Sequence, residues 1–499
     1  MKPRVSLREA LSDPSLLGTA IAGPSRLAWR VLLIAAMGEE LTTDERILFK
    51  QLTGREREPL QRVEEFEAVV GRRGGKTSGI AAMATYIATC CDHPELVAGE
   101  RGVLLVVAPD QRQSQICLDY IEAAIDASPI LRQLIEQRTQ WSLRLSNRID
   151  IEVRASDFRR LRGPTFICVI ADESAFWFNE NSANPDTEIL NAVRPGLATT
   201  GGPLFMISSP YARRGELWRT YQKHFGANGD PLILVAQGSS RTFNPTLSQS
   251  VVDRAMERDP ASAAAEFGAE FRRDIESFVS IEAVQAVLSA NVFERAPQRG
   301  IAYVGFVDPS GGSADAFTLA IAHVAHNRET TVIDCLREVR PPFSPEAVVA
   351  EFAQTLKSYR LTTVTGDRYA AEWPVEQFSK YGILYVAAEK PKSELYADLL
   401  ATINSRRCDL LDHPKLTNQL VGLERRTARG GKDSIDHSPG GHDDIANAVA
   451  GAVSICITRG IYNPNFMNDA SSDDPGGRDA WRRARLSWYL NSGGKPPPF

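Results

Sequence analysis

Two groups of residues in this sequence have the types and spacing that chemistry requires. The first is the run Gly71-Arg72-Arg73-Gly74-Gly75-Lys76-Thr77, which follows an apolar stretch and leads into a helical pattern. Glycines at such a turn let backbone N–H groups approach a phosphate, and the N-terminus of the following helix adds favourable partial charge. In that setting Gly74 and Gly75 shape the loop, Lys76 reaches the β- and γ-phosphates, and the Thr77 hydroxyl ligates magnesium. The usual spacing asks for a glycine at position 70, where this chain has Val70. Further on, the apolar run from Phe166 to Ala171 ends in Asp172 and Glu173. An acidic pair at the end of a buried strand can hold magnesium through Asp172 and activate water through Glu173. Ser208 and Ser209 close another apolar run, at the place where a γ-phosphate sensor would sit. Each segment alone also reads as an ordinary turn, but the order phosphate loop, then acidic strand, then hydroxyl strand favours nucleotide hydrolysis.

The second group is acidic. Asp308 ends the strand-like run from Tyr303, Asp367 ends the run from Thr362, and Asp443 and Asp444 follow Gly440-Gly441-His442 at the start of a late helix. Taken singly, these acids are strand-end turns and helix N-caps. Taken together, they bring carboxylates from two strand ends and one helix start to one place, an arrangement that costs free energy unless cations neutralise it. Two magnesium or manganese ions held there would activate a water and stabilise the leaving oxygen in phosphodiester hydrolysis. Asp315 is an auxiliary ligand in this reading, and His442 lies close enough in sequence to support the ligands.

The elements that must carry these residues are legible in the hydrophobic pattern. Helices are predicted over Ser6 to Leu11, Arg26 to Met37 and Thr43 to Leu52, the last with Thr42 or Thr43 as N-cap. Short apolar or β-branched runs then alternate with helical segments: Phe66 to Val70, Val103 to Ala108, Ile149 to Arg154, Phe166 to Ala171 and Leu204 to Ser208. Runs of that kind are strands buried on both faces, as in a mostly parallel α/β sheet. After Glu294 to Gly300 come three closely spaced strand-like runs, Ala302 to Val307, Phe317 to His323 and Thr330 to Val339, and helices return near Pro345. That order predicts a second, mixed α/β sheet. The sequence therefore divides into a helical lead-in (1–65), a nucleotide-binding α/β domain (66–285), a mixed α/β domain (300–460) and a flexible tail (461–499).

A chain of 499 residues favours more than one core, and 43% hydrophobic with 24% charged residues is ordinary globular composition. No apolar run reaches the length of a membrane span, and Leu27 to Met37 reads as a buried helix rather than a secretory signal. The seven cysteines include no CxxC pair, so they are expected as reduced core residues. A net charge of −5 excludes a uniformly basic nucleic-acid coat and confines any DNA grip to local faces.

The short, doubly basic loop from Gly71 to Thr77, lacking its first glycine, resembles the variant phosphate loop of phage terminase large subunits. Val169 to Glu173 resembles that family's acidic strand motif, and Ile207 to Pro210 its coupling motif. Asp308, Asp367 and Asp443 fall on the main acidic positions of its ribonuclease-H-like nuclease, with Asp444 auxiliary. The resemblance spans roughly residues 60 to 460. It implies an N-terminal P-loop ATPase joined to a ribonuclease-H-like nuclease, using ATP with Mg2+ in one and two Mg2+ or Mn2+ in the other. It further implies ATP-driven translocation of double-stranded DNA into a procapsid and endonucleolytic cleavage of the packaged genome. The implied partners are double-stranded DNA, the portal protein, a small terminase subunit and further copies of the chain in a ring on the portal. The implied location is the host cytoplasm, with transient docking on the procapsid. Arg72 or Arg73 acts near the phosphates in this scheme, and Arg162, or failing it Arg160, in the loop from Arg159, reaches a neighbouring subunit's γ-phosphate. The other reading of those arginines is a solvated basic loop or a DNA contact.

Three rival readings remain at the level of sequence. A helicase or repair ATPase with a nuclease would need strand-separation motifs between the acidic strand and the domain boundary, and none is seen. A recombinase or integrase would have an accidental phosphate loop and show strand transfer without ATP hydrolysis. A capsid-associated structural protein would leave two complete acidic constellations without a purpose.

Overall fold

The computed structural model describes residues 1–156, 161, 163–177, 182, 185–312, 315–326, 329–367, 372–426, 433–438 and 441–461. The described residues form two compact units: residues 1–281 with 414–443, and residues 282–413 with 444–461. The single stretch 300–460 expected for the second domain therefore differs from what is found. The second unit starts at Glu282, and the segment 414–443 folds with the first.

In the first unit, strands β1 (Glu65–Val70), β2 (Gly102–Ala108), β3 (Ile135–Arg138), β4 (Ser142–Leu145), β5 (Ile149–Ala155), β6 (Phe166–Asp172), β7 (Leu204–Ser208) and β8 (Ile233–Gly238) form one sheet. Their order is β8-β1-β7-β6-β2-β5-β4-β3. The six strands from β8 to β5 run parallel, and β4 and β3 continue antiparallel at one edge. The mostly parallel sheet predicted from the apolar runs is found. β2 and β6 are buried at every position, as continuous Val, Ile and Leu runs require when both faces are covered. Helix α1 (Leu27–Ala36) and helix α2 (Thr43–Thr53), the latter held by a Thr42–Glu45 capping box, belong to the lead-in. Helix α3 (Lys76–Thr89) follows the glycine-rich loop, and α4 (Gln111–Asp126) follows β2. Trp29, Leu32 and Ile34 of α1 share one core with Ile80, Met83 and Ile87 of α3 and Leu104 and Ile170 of the sheet. The lead-in is thus part of the first unit, and each fully buried large apolar side chain contributes roughly 1.5–3 kcal/mol.

A small antiparallel sheet completes the first unit. Ile275–Ser277 pairs with Leu423–Arg426, which pairs in turn with Ser434–His437. Glu424 is wholly buried there and accepts from Tyr211 Oη at 2.7 Å and Arg214 Nη2 at 2.7 Å. This charge-assisted pair ties the chain just beyond β7 to the late segment.

The second unit is built on a mixed sheet. β9 (Tyr303–Asp308), β10 (Phe317–Val324) and β11 (Thr331–Val339) form an antiparallel meander. β12 (Thr363–Gly366) and β13 (Leu384–Ala387) add parallel on the β9 side, and β14 (Cys408–Leu411) adds parallel to β11. Helix α5 (Pro345–Ser358) supplies Val349, Phe352 and Leu356 to a core with Val307, Phe317 and Ile321. Helix α6 (Asp444–Ile461) is rich in small residues. Gly451 permits close packing on β9, since a Cβ there would lie 2.2 Å from the Phe306 ring. Among the described residues no helix is long and apolar enough to cross a membrane, and all seven cysteines are buried and outside any disulfide.

Candidate functional site

The first site forms at the ends of three adjacent parallel strands. β7 lies between β1, which leads into the glycine-rich loop, and β6, which ends in Asp172. The loop turns into α3 through Gly75, whose φ of +75° is the left-handed conformation that glycine adopts at least cost. Val70 stands where the usual spacing has glycine, and Gly74 makes room for it: a Cβ at Gly74 would lie 2.5 Å from Val70 Cγ1.

Lys76, Thr77, Asp172, Glu173, Ser208 and Ser209 each meet another of the six. Lys76, only 5% exposed, donates through Nζ to Ser209 Oγ at 2.8 Å and to Val70 O at 3.2 Å. It also pairs with Glu173 at 3.1 Å. Thr77 Oγ1 donates to Asp172 Oδ2 at 3.3 Å. Ser208 Oγ and the Ser209 N–H both donate to Glu173 Oε2, at 3.2 and 3.0 Å. Glu173 is held at φ 50°, a conformation that a non-glycine residue keeps only where its surroundings enforce it. Its N–H donates to Ile207 O at 2.7 Å, and the Trp177 indole fixes the Asp172 carbonyl at 2.9 Å.

Asp172 is completely buried, and its Oδ1 has no hydrogen-bond partner. Burial, and after it the neighbouring Glu173, pushes its carboxyl up to about 7, with Lys76 and Thr77 acting in the opposite direction. A buried carboxylate oxygen without a donor, beside a threonine hydroxyl at the start of a helix, suits a hard divalent cation, which would hold Asp172 ionised. The donor set therefore fits magnesium with a nucleotide triphosphate. Arg72 points elsewhere: it is exposed and ion-paired to Glu266 at 3.1 Å. Arg73 has φ 65°, and its carbonyl accepts from Asn244 Nδ2 at 3.0 Å. Neither arginine contacts the other motif residues. Arg159, Arg160 and Arg162 lie outside the described residues, as does the tail beyond Ile461.

The second site is set by strand register in the second unit. β9 and β12 pair in parallel with Val307 opposite Gly366, so Asp308 and Asp367 follow side by side, one residue beyond that pair. Both lie near the Tyr385 phenol, which burial first, and then Asp367 and Asp308, push above its usual range. Tyr385 Oη donates to the Asp367 carbonyl at 2.9 Å. Asn447 of α6 donates through Nδ2 to Asp308 Oδ2 at 2.8 Å. Asp444, which opens α6, accepts the Ala316 N–H at 3.3 Å on Oδ2, and its carbonyl accepts from Thr318 Oγ1 at 2.7 Å. Ser310 Oγ donates to the Asp315 carbonyl at 2.6 Å. Oxygen donors of this kind fit hard cations such as magnesium or manganese. Asn447 escaped the sequence reading, although its position three residues after Asp444 puts both on one face of the helix.

Asp443 belongs to the first unit. It is buried, and its carboxylate lies with those of Asp436 and the ring of His437 in a cluster whose ligand atoms all fall within 4.8 Å of one another. His442 lines an adjacent small cavity with His437, Ser438, Lys415 and Gln419. Asp436 and His437 also went unnoticed in the sequence.

No protein-family model matches the chain, and no curated protein matches it significantly. Solved structures do. The HK97 bacteriophage large terminase is similar at 15% identity over 79% of this chain and 91% of that one, with a TM-score of 0.37. The Thermus phage P74-26 large terminase ATPase domain is similar at 18% identity over 47% of this chain and 96% of its own, with a TM-score of 0.35. The large terminase nuclease from thermophilic phage G20c is similar at 16% identity over 35% of this chain and 96% of its own, with a TM-score of 0.31. At such identities and scores, what the two sites can do rests on their own geometry.

Proposed function

We propose that this chain is a phage terminase large subunit, a motor that hydrolyses ATP to drive double-stranded DNA into a procapsid and a nuclease that cuts the packaged DNA. The observation that carries the reading is the contact of Lys76 with Glu173 and Ser209, and of Thr77 with Asp172, across three neighbouring strand ends. Three separate sequence motifs converge there on groups that bind phosphate, metal and water.

When bound, magnesium supplies charge neutralisation at the β- and γ-phosphates, and Thr77 and Asp172 are the residues that would hold it. Lys76 exchanges Val70 O and Glu173 for phosphate oxygens. That exchange releases Glu173 to orient and polarise the attacking water, while Ser208 and Ser209 keep its carboxylate aimed through Oε2. In the second unit, Asp308 and Asp367, with Asp444 beside them, would hold two divalent ions, which supply Lewis acidity for phosphodiester hydrolysis. Asn447 orients Asp308 for that task. Asp443 is proposed as a further acid of the nuclease, and Arg162 as the residue acting on a neighbouring subunit in a ring of copies docked on the portal protein, with a small terminase subunit and host cytoplasmic location in keeping with that role.

The test is a single preparation assayed for ATP hydrolysis and for cleavage of double-stranded DNA, with magnesium and manganese compared. Both activities, each requiring a divalent ion, are expected. Strand transfer without ATP hydrolysis would establish the recombinase reading instead.

A further inference from the structure

One cation at the phosphate loop has no role in this scheme. Arg26 lies at the junction between the 3-10 turn Pro24–Arg26 and helix α1, and its guanidinium reaches the N-terminal mouth of α3. A Cβ built on Gly75 would lie 1.9 Å from Arg26 Nη1 and 3.2 Å from its Cζ. The loop therefore needs glycine here twice over, once for its φ and once for the arginine.

The approach is enforced by the way α1 is seated. Trp29, one turn further on, is fully buried and donates from its indole Nε1 to Gly74 O at 2.8 Å. Its ring fills the space left by Gly79, where a Cβ would lie 2.5 Å from Trp29 Cδ2, and it packs 5.0 Å from the Phe243 ring. With Trp29 clamped to the loop and to the first turn of α3, the start of α1 is held over Gly75.

Electrostatics make the position unfavourable as it stands. Helix α3 has no side-chain cap, so its first N–H groups and its dipole present positive charge to the place where Arg26 sits, beside Gly75. Among the described residues the Arg26 guanidinium has no hydrogen-bond or ion-pair partner; only its backbone N–H is engaged, donating to Gly23 O at 3.1 Å. A guanidinium held at the positive end of a helix without a carboxylate is stabilised only when an anion arrives between them, and its forked donors suit phosphate oxygens.

We propose that Arg26 is a further nucleotide-contact residue, supplied by the N-terminal lead-in, which binds a phosphate of the nucleotide at Gly75. This rests on the ATPase reading and extends it: the lead-in closes the phosphate site and does not merely support it.

Equilibrium titration of the full-length protein with ATP and with inorganic tripolyphosphate tests this, using wild type, Arg26→Gln, Arg26→Lys and Lys76→Ala. Loss of one charge-assisted contact predicts about 10–100-fold weaker binding of both ligands by Arg26→Gln. Arg26→Lys should fall between that variant and wild type, and Arg26→Gln should show a shallower salt dependence. Thermal unfolding without ligand should come no lower for Arg26→Gln than for wild type, since the guanidinium has no hydrogen bond or ion pair to lose and the substitution removes a cation from the positive end of α3. Wild-type affinity in Arg26→Gln, alongside weakened Lys76→Ala, overturns the proposal and leaves the ATPase reading standing. Weakened ATP binding with unchanged tripolyphosphate binding would assign Arg26 to the nucleoside and so overturn the phosphate assignment. A wild-type protein that binds neither ligand removes the ATPase reading and this proposal together.

Discussion

The two acidic sites are assembled by different means. In the first unit, side chains hold one another: Lys76 joins Glu173 to Ser209, Thr77 meets Asp172, and Glu173 is fixed by two donors from the end of β7. In the second unit the backbone does the placing. The parallel register of β9 and β12 sets Asp308 and Asp367 side by side, and α6 brings Asn447 and Asp444 to the same edge. A side-chain network couples its members, so that removing one frees or strands another. A register-built site keeps its geometry when a single carboxylate is neutralised, and such a change reports on charge alone.

The largest expected effect is in the network. Glu173→Gln should slow ATP turnover by about 10²–10⁴-fold while retaining ATP binding, because the amide cannot polarise water. A steady-state rate combined with equilibrium binding checks this, and lost binding would make Glu173 structural. Lys76→Ala should follow, with a loss of about 10²–10³-fold in hydrolysis, as expected when one electrostatic donor is removed from a reacting phosphate. Cleavage of DNA by the same Lys76→Ala preparation should remain within about twofold, because register builds the second site independently. Equal loss of both activities would break the comparison.

Asp308→Asn and Asp367→Asn come next. Each should reduce cleavage by on the order of 10²-fold, since metal ligation contributes several kcal/mol of transition-state stabilisation, and should leave ATP hydrolysis unchanged. The smallest effect is expected for Asn447→Ala, which removes the amide that orients Asp308. Apparent metal affinity in the cleavage assay should fall about tenfold, with recovery at higher manganese concentration. Failure to recover would show that Asn447 does more than orient its neighbour.

The first site was largely legible in the sequence because its residues terminate buried strands, whose apolar runs announce themselves. The predicted strand from Leu204 to Ser208 matches the observed bounds, and Phe166 to Ala171 extends by one residue to Asp172. The contacts among Lys76, Glu173 and Ser209 depended on strand order, which no local pattern states; with β7 between β1 and β6, they become neighbours. The edge strands β3 and β4 were not anticipated, because half-exposed polar alternation such as Ile135-Glu136-Gln137-Arg138 resembles a loop. The hairpin from Leu423 to His437 was missed for a different reason. Its partner Ile275–Ser277 lies far away along the chain, so neither strand carries evidence of the other. Arg26 was hidden for a similar reason, since its chemistry comes from the seating of Trp29 on the loop and not from any motif around it.

The discontinuity of the first unit bears on how the protein is made. Its last strands, Leu423–Arg426 and Ser434–His437, emerge from a ribosome only after most of the second unit has been synthesised, a lag of roughly seven to thirty seconds at about 5–20 residues per second. During that interval the central sheet from β8 to β3 can already close, because all its strands lie before residue 239. Tyr211 and Arg214, by contrast, must wait for Glu424, and Ile275–Ser277 stays an open strand edge. A nascent chain halted between Ile281 and Leu423 would thus combine a closed parallel sheet with a sticky, unfinished rim, the kind of species that chaperones retain.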